Sequence, residues 1–279
     1  MAGSFFMEVF SLSIYRGIAL SIAGTDPGGG AGMQADLKTF AALKVFGMSV
    51  ITAVNAQNSL GVSAIYDMPP EIITAQMESV FSDFGVMATK TGMLSRKETI
   101  RAVCDGIRKY NLKMLVVDPV MVAQSGDSLI SDGAVEAMKE LLLPLTFLLT
   151  PNVPEAEKLS GIGISGVDDM KEAARIISEL GPHAVLVKGG HLPGSTITDV
   201  LFLNGEYSVF RDSCIETGNT HGTGCTLSSA ITAELSAGEP LEEAVRRGRL
   251  YLRLALENSF KPGHGYGPVG HAVKPDWIV

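Results

Sequence analysis

The segment that is richest in candidate chemistry runs from Asn219 to Thr226, reads NTHGTGCT, and leads into the helical stretch LSSAITAEL. Two glycines just before a helix let successive backbone N–H groups point at one spot, and the helix dipole adds positive potential there. Such a cradle suits a phosphoryl group in transfer. Cys225 falls in the first helical turn, where a thiol pKa is expected to be lowered. A plain glycine helix cap, or a hydrolase that pairs Cys225 with His221, remain alternatives.

Further polar residues follow predicted strands. Asn152 and Glu155 come after the run FLLT, and they offer the hard oxygen ligands that Mg²⁺ prefers. The alternative is a helix cap, with Asn152 as N-cap and Glu155 complementing the dipole. Asp118 and Lys188 end two other strands. A carboxylate, a lysine and an anion cradle at one sheet edge are what phosphoryl transfer requires.

The loop GTDPGGGAG (24–32) follows the first strand and lets a ligand approach the backbone closely. Gln57 follows the second strand, and its carboxamide presents the donor and acceptor that match an aminopyrimidine edge; a solvated loop amide is the alternative. GAGMQA (30–35) fits a dinucleotide fingerprint, but the acidic residue expected about 20 positions later is missing. No Walker A loop is present, so any use of ATP must proceed without one.

The elements that must position these residues alternate between short apolar runs and helical periods, which predicts a doubly wound α/β domain with a parallel sheet. Asn204-Gly205, between two alternating runs, predicts an added hairpin over 198–211. The predicted strands are 18–23, 49–55, 114–118, 147–150 and 184–189, and the predicted helices are 33–46, 70–84, 95–110, 131–142, 168–180, 224–237 and 239–259, with another beginning near Pro154.

The chain has 279 residues and a formal net charge of -8, which argues against nucleic acid as a main partner. Its 46% hydrophobic content excludes disorder as the overall state. Three scattered cysteines do not form a disulfide framework, so a reduced, cytoplasmic protein is expected. No apolar run is long enough to span a membrane. Residues 1–15 are interpreted as a disordered extension and residues 16–279 as one domain.

Taken in order, the segments IAGTDPGGGAG, QADLKTF, VITAVNAQN, TGML, VVDPVMVAQSGD, LLTPNVPEAEKLSG, VLVKGGH and NTHGTGCTLSSA resemble the hydroxymethylpyrimidine/phosphomethylpyrimidine kinases of thiamine biosynthesis, a branch of the ribokinase-like superfamily. The resemblance covers about residues 18–270. It implies a three-layer αβα fold with a mostly parallel sheet, the use of ATP and Mg²⁺, and a cytoplasmic homodimer. It also implies two reactions, phosphorylation of the pyrimidine's hydroxymethyl group and then of the resulting monophosphate.

The resemblance also implies roles for particular residues. It makes Cys225 and Lys188 the catalytic residues and Asp118 and Glu155 the residues associated with the metal. The substrate-binding residues it implies are Gln57, Gly24, Ala31, Asp36 and Met93, and the residues at the ATP phosphates are Thr220, Gly222, Thr223, Gly224 and Asn152.

The sequence departs from the family pattern at two positions. Gln124 stands where a lysine is common, which is expected to weaken contacts to phosphate, and Gly28 replaces a common serine. A pyridoxal or pyridoxine kinase is the nearest alternative, because its substrate is also a flat heteroaromatic with a hydroxymethyl arm. A pyrimidine-binding sensor without catalysis is the alternative from another class.

Overall fold

The computed structural model describes residues 14–123, 126–127, 129–131, 133–190, 192 and 194–278. The strands in this part of the chain are β1 (Gly17–Gly24), β2 (Val45–Asn58), β3 (Gly61–Asp67), β4 (Ala88–Thr91), β5 (Leu115–Val117), β6 (Leu148–Leu149), β7 (Ala184–Val187), β8 (Thr196–Leu203) and β9 (Glu206–Ser213). They form one sheet in the order β3-β2-β1-β4-β5-β6-β7-β8-β9. The six neighbouring strands β2, β1, β4, β5, β6 and β7 pair in parallel. Strand β3 at one edge, and β8 and β9 at the other, pair antiparallel.

The helices are α1 (Gly32–Ala42), α2 (Pro70–Phe81), α3 (Lys97–Lys109), α4 (Ala134–Ala137), α5 (Val153–Ser160), α6 (Val167–Ser178), α7 (Thr223–Ser236) and α8 (Leu241–Glu257). A π-helical turn (Met138–Leu142) and a 3₁₀ turn (Leu143–Leu145) continue α4. None of the helices in the described residues has both the length and the apolar character that crossing a membrane would need.

The sheet lies between two helical layers, which confirms the predicted three-layer αβα architecture. Leu20 and Ile22 of β1 point to one face, where they join the buried side chains of α2, α3 and α6. Their neighbour Ala19 points to the other face and packs with Phe40 of α1 and Tyr251 of α8. This alternation along one strand places apolar side chains on both faces of the sheet, as strands covered on both sides require.

Several element boundaries differ from the sequence prediction. The first helix ends at Ala42 rather than at 46, because Lys44 has a φ of 53° and turns the chain directly into β2. Strands β3 and β4 were not predicted, since β3 is mostly exposed and β4 reads ATKT despite being buried throughout. The predicted hairpin is present, and Asn204 and Gly205 have the positive φ angles (51° and 85°) of its tight turn.

The predicted boundary between an N-terminal extension and the domain falls at residue 15. Residues 1–13 lie outside the described residues. The ring of Tyr15 packs edge-on against Phe46 of β2, with 5.5 Å between ring centroids. Tyr15 therefore already packs against the folded domain.

Candidate active site

A cavity of about 810 Å³ opens along the carboxyl ends of the parallel strands. Open α/β sheets bind their ligands at this edge. The cavity brings together the predicted site residues with one exception, Asp36. Those that line it are Gly24, Ala31, Gln57, Met93, Asp118, Asn152, Glu155, Lys188, Thr220, Gly222, Thr223, Gly224 and Cys225.

The predicted anion cradle lies where α7 begins. Gly222 caps this helix in the left-handed region, with a φ of 82°, and a Cβ on it would lie 1.8 Å from the carbonyl oxygen of Gly30. A Cβ on Gly224 would lie 3.4 Å from Lys188 Nζ. Glycine is therefore required at Gly222 by both conformation and space, and at Gly224 it leaves the lysine room beside the first helical turn.

Lys188 and Asp118, which both line the cavity, form an ion pair with 2.9 Å between Nζ and Oδ1. Ser228 of α7 donates a hydrogen bond to the other oxygen of Asp118. Burial alone would raise the pKa of Asp118, but Lys188 and Lys90 hold it below its ordinary value. Burial likewise opposes the charge on Lys188, and the carboxylates of Asp118 and Glu155 raise the pKa of this lysine. Both groups are therefore charged at neutral pH.

Asn152 and Glu155 form a reciprocal cap at the start of α5. The Asn152 side chain accepts a hydrogen bond from the Glu155 amide, and the Glu155 carboxylate accepts one from the Asn152 amide. This is the helix-cap alternative that the sequence left open. Burial, followed by the charge of Asp118, raises the pKa of Glu155 to about 7, although Lys188 opposes the shift.

The expected low pKa of Cys225 is wrong in this structure. Burial is the largest effect and raises the thiol pKa from its ordinary value of 9.0 to about 11. Lys90 lowers it, whereas Asp36 and Asp118 raise it further. The helix N-terminus alone suggested the opposite direction, because the sequence did not show that the thiol would be buried or that Asp36 and Asp118 would lie near it.

Asp36 does not line the cavity and is fully buried behind it, which corrects its predicted place among the substrate contacts. Its carboxylate lies 2.8 and 2.9 Å from Lys90 Nζ and accepts hydrogen bonds from Ser21 and Ser229. Both carboxylate oxygens are thus occupied by groups of the protein itself. Asp36 joins α1, β1, β4 and α7 beneath the site.

Near the end of β2, the cavity is lined by groups that could bind the molecule that accepts a phosphoryl group. Gln57 is half-buried near the end of β2, where a register shift interrupts the pairing with β3. Met93 is buried nearby and its sulfur lies 3.6 Å from Asn55 Nδ2. The Asn55 amide oxygen is buried and has no hydrogen-bond partner among the described residues. Because Asn55 also lines the cavity, it offers an acceptor that a bound ligand could satisfy.

Sequence reasoning missed further residues that line the cavity, among them the charged residues Asp26, Lys90 and Arg249. Asp26 organises the glycine loop after β1 and accepts hydrogen bonds from three of its amides. Lys90 is fully buried in β4. Arg249 of α8 binds Asp199 and Asp212 of the β8–β9 hairpin. The position of Asp26, an acidic residue inside a glycine loop, was the one signal in the sequence that could have identified any of these three. Lys90 and Arg249 could not be identified, because their acidic partners are distant in sequence.

One predicted departure from the family pattern, Gln124, lies outside the described residues, as do its neighbour Ser125 and His191. Gly28, the other departure, lies in the loop whose amides Asp26 accepts, and it donates a hydrogen bond of 2.9 Å to Oδ1 of that residue.

Comparison with known proteins identifies relatives over nearly the whole chain. The profile of the Phosphomethylpyrimidine kinase family matches residues 26–270. A hydroxymethylpyrimidine/phosphomethylpyrimidine kinase from Rhizobium meliloti is 54% identical over 258 residues, covering 91% of this chain and 96% of that protein. An ADP complex of Bacillus subtilis pyridoxal kinase superposes with a TM-score of 0.86 at 38% identity, covering 92% of this chain and 97% of that chain. A phosphomethylpyrimidine kinase from Clostridium difficile has a TM-score of 0.77 at 46% identity, covering 85% and 98%.

Proposed function

The chain belongs to the phosphomethylpyrimidine kinase family and has its ribokinase-like fold, and from this premise we propose how its own residues carry the activity. The protein is a kinase of thiamine biosynthesis that phosphorylates hydroxymethylpyrimidine and then its monophosphate, with ATP as the phosphoryl donor. The observation that carries this proposal is the meeting of an anion cradle, the Lys188–Asp118 pair and the Gln57 amide in one cavity.

The phosphoryl group in transfer would rest on the backbone amides at the start of α7. Gly222 and Gly224 open the approach to these amides, and Lys188 lies beside them. Negative charge on the equatorial oxygens of a phosphoryl transition state is spread over three atoms, and fixed positive groups at this position stabilise it. Asp118 keeps Lys188 oriented by its 2.9 Å ion pair.

The acceptor would lie between Gln57, Met93 and the loop after β1. Gln57 can donate to a ring nitrogen and accept from an exocyclic amino group at once. Cys225 lies at the start of α7 and would contact the acceptor hydroxyl. With its pKa near 11 the thiol is neutral at pH 7, so we assign it the orientation of this hydroxyl rather than the initial removal of its proton. A loose phosphoryl-transfer transition state asks little of a base.

Asp118 and Glu155 line the cavity together with Lys188, and they are the residues that would hold Mg²⁺. Asp118 and Glu155 are close enough that the charge of Asp118 raises the pKa of Glu155, so a cation there would relieve repulsion between the two. The described residues contain no cluster of three or more His, Cys, Asp or Glu side chains that could hold a metal. The ion would therefore take its remaining ligands from water and the nucleotide phosphates, as Mg²⁺ commonly does. When bound, it would neutralise phosphate charge.

We also propose that the kinase acts as a cytoplasmic homodimer. ATP is an intracellular substrate, and Cys104, Cys214 and Cys225 are free thiols. The edge strand β3 exposes Ile65 and Tyr66 beside an exposed Val54 on β2. An edge strand with exposed apolar side chains is suited to pack against a second copy of the chain.

The structural similarity to a pyridoxal kinase keeps pyridoxal as a second candidate acceptor. The deciding experiment measures ADP release and phosphorylated product with hydroxymethylpyrimidine, its monophosphate and pyridoxal at equal concentrations. We expect transfer to both pyrimidines to exceed transfer to pyridoxal. Faster transfer to pyridoxal would overturn the substrate assignment, and binding of the pyrimidine without any ATP turnover would indicate a sensor.

A further inference from the structure

The carboxylate of Asp26 connects two loops that the proposed reaction must hold together. Within the loop after β1, its oxygens accept hydrogen bonds from the amides of Gly28 (2.9 Å), Gly30 (3.1 Å) and Ala31 (2.8 Å). The same carboxylate also lies 2.8 Å from Nε2 of His221. His221 belongs to the loop that leads into the anion cradle, and it is 195 residues away in sequence.

The two loops also touch through their backbones at this point. A Cβ on Gly30 would lie 2.5 Å from Cδ2 of His221, and one on Gly222 would lie 1.8 Å from the Gly30 carbonyl oxygen. Gly222 could not carry a side chain without separating the loops, and a side chain on Gly30 would displace the ring of His221. The side chains of Asp26 and His221 are 2% and 12% exposed, so little solvent competes for their hydrogen bond.

The charge on Asp26 decides which of the two side chains donates the hydrogen bond. Burial would raise the pKa of Asp26, but the hydrogen bonds from His221 and from the loop amides hold it below its ordinary value. Asp26 is therefore an ionised acceptor at neutral pH, and Nε2 of His221 must carry the proton that it donates. The contact is a charge-assisted hydrogen bond, which is stronger than one between neutral groups.

We propose that His221 and Asp26 are a pair of positioning residues. Their hydrogen bond, called the latch below, fixes the distance between the acceptor loop (24–32) and the anion cradle (222–224). This inference rests on the proposed kinase function, in which one loop holds the acceptor and the other the phosphoryl group. Neither residue needs to contact the reacting atoms. Their effect is on the alignment of the two substrates, where a displacement of about 1 Å can cost about 100-fold in rate.

The test uses two variants with the same functional group and different reach, His221→Gln and His221→Asn. The amide nitrogen of glutamine extends about as far as Nε2 of histidine, whereas asparagine is one methylene shorter and extends only about as far as Nδ1. We expect His221→Gln to keep kcat within about threefold of the wild type. We expect His221→Asn to lose about 10- to 100-fold in kcat, with KM for ATP and for the pyrimidine changed by less than about threefold.

Asp26→Asn in the His221→Asn background tests whether the two residues act as one unit. If they do, His221→Asn causes no further loss in an Asp26→Asn variant, because the contact between the two residues is already broken there together with the loop hydrogen bonds that Asp26 accepts. Thermal unfolding of each variant separates alignment from stability: a merely structural role would lower the midpoint and leave kcat of the folded fraction unchanged.

Wild-type kcat in His221→Asn, or equal losses in the glutamine and asparagine variants, would overturn the latch. Losses in the double variant that multiply would do so as well. If the wild type instead phosphorylates pyridoxal, the substrate assignment fails, while the contrast between glutamine and asparagine measured with pyridoxal still decides the latch.

Discussion

The protonation state of Cys225 decides whether this residue orients the acceptor hydroxyl or removes its proton. Its pKa is raised from 9.0 to about 11, first by burial and then by Asp36 and Asp118, against the opposing charge of Lys90. At pH 7 the thiolate fraction is then about 1 in 10⁴, against about 1 in 10² for a thiol at 9.0. Because only the thiolate is nucleophilic, native Cys225 should be alkylated about 100-fold more slowly than the same residue in the unfolded chain.

The assay is alkylation by iodoacetamide from pH 7 to 9.5, in native buffer and in urea, with each cysteine followed by peptide mass spectrometry. We expect the native Cys225 rate to rise about tenfold per pH unit across the whole range, while the rate in urea levels off above about pH 9. The exposed Cys214 reports reagent activity in the same sample. Cys104 is buried, with its pKa raised to about 12 mainly by burial, so its modification reports global unfolding.

A native Cys225 rate that levels off below pH 9 while Cys104 stays protected would refute this reasoning and restore the low pKa that the helix N-terminus suggests. The catalytic consequence can be tested independently. A neutral thiol that only orients the acceptor predicts a loss of less than about 100-fold in Cys225→Ala, whereas a general base is worth about 10²–10⁴-fold. A loss near the upper end of that range would show that the thiolate takes part in the reaction.

Three other substitutions test separate parts of the site. Gln57→Leu should weaken pyrimidine binding by about 1–3 kcal/mol in calorimetry and leave ATP binding unchanged, because the ring's polar edge loses its partner; equal pyrimidine affinity would exclude the assigned contact. Lys90→Met should lower the free energy of unfolding in urea by about 3–5 kcal/mol, because Asp36 is left buried without its cation. The double variant Lys90→Met/Asp36→Leu should recover most of this loss. An unchanged urea midpoint in the single variant would contradict the ion pair. Gly222→Ala should reduce kcat/KM by at least about 100-fold, since φ is 82° there and the new Cβ would overlap a carbonyl of the facing loop. Gly218→Ala is the control and should behave as the wild type, because no atom lies within 4 Å of its Cβ. Similar activity in the two variants would show that the cradle tolerates a Cβ.

Much of the fold and the cradle could be predicted from the sequence because they depend on interactions that are local in the chain. Apolar strand runs alternating with helical periods specify a covered parallel sheet. The two glycines before α7 specify a helix start with accessible amides, and Asn204-Gly205 specifies a tight turn. Since strands of a parallel sheet end at the same edge, the residues that follow β5, β6 and β7, and Gln57 near the end of β2, could be placed at one edge of the sheet from the sequence.

The tertiary structure decided what depends on contacts between distant segments. The sequence does not show that Asp36 is turned away from the cavity, because this depends on Lys90, 54 residues further along the chain. Strand β4 has a polar sequence and is nevertheless buried throughout, and the charge of its Lys90 is matched by the same Asp36. The pKa of Cys225 changes direction for a similar reason: the helix dipole is local and can be read from sequence, but desolvation and the charges of Asp36 and Asp118 exist only once the chain has folded around the thiol.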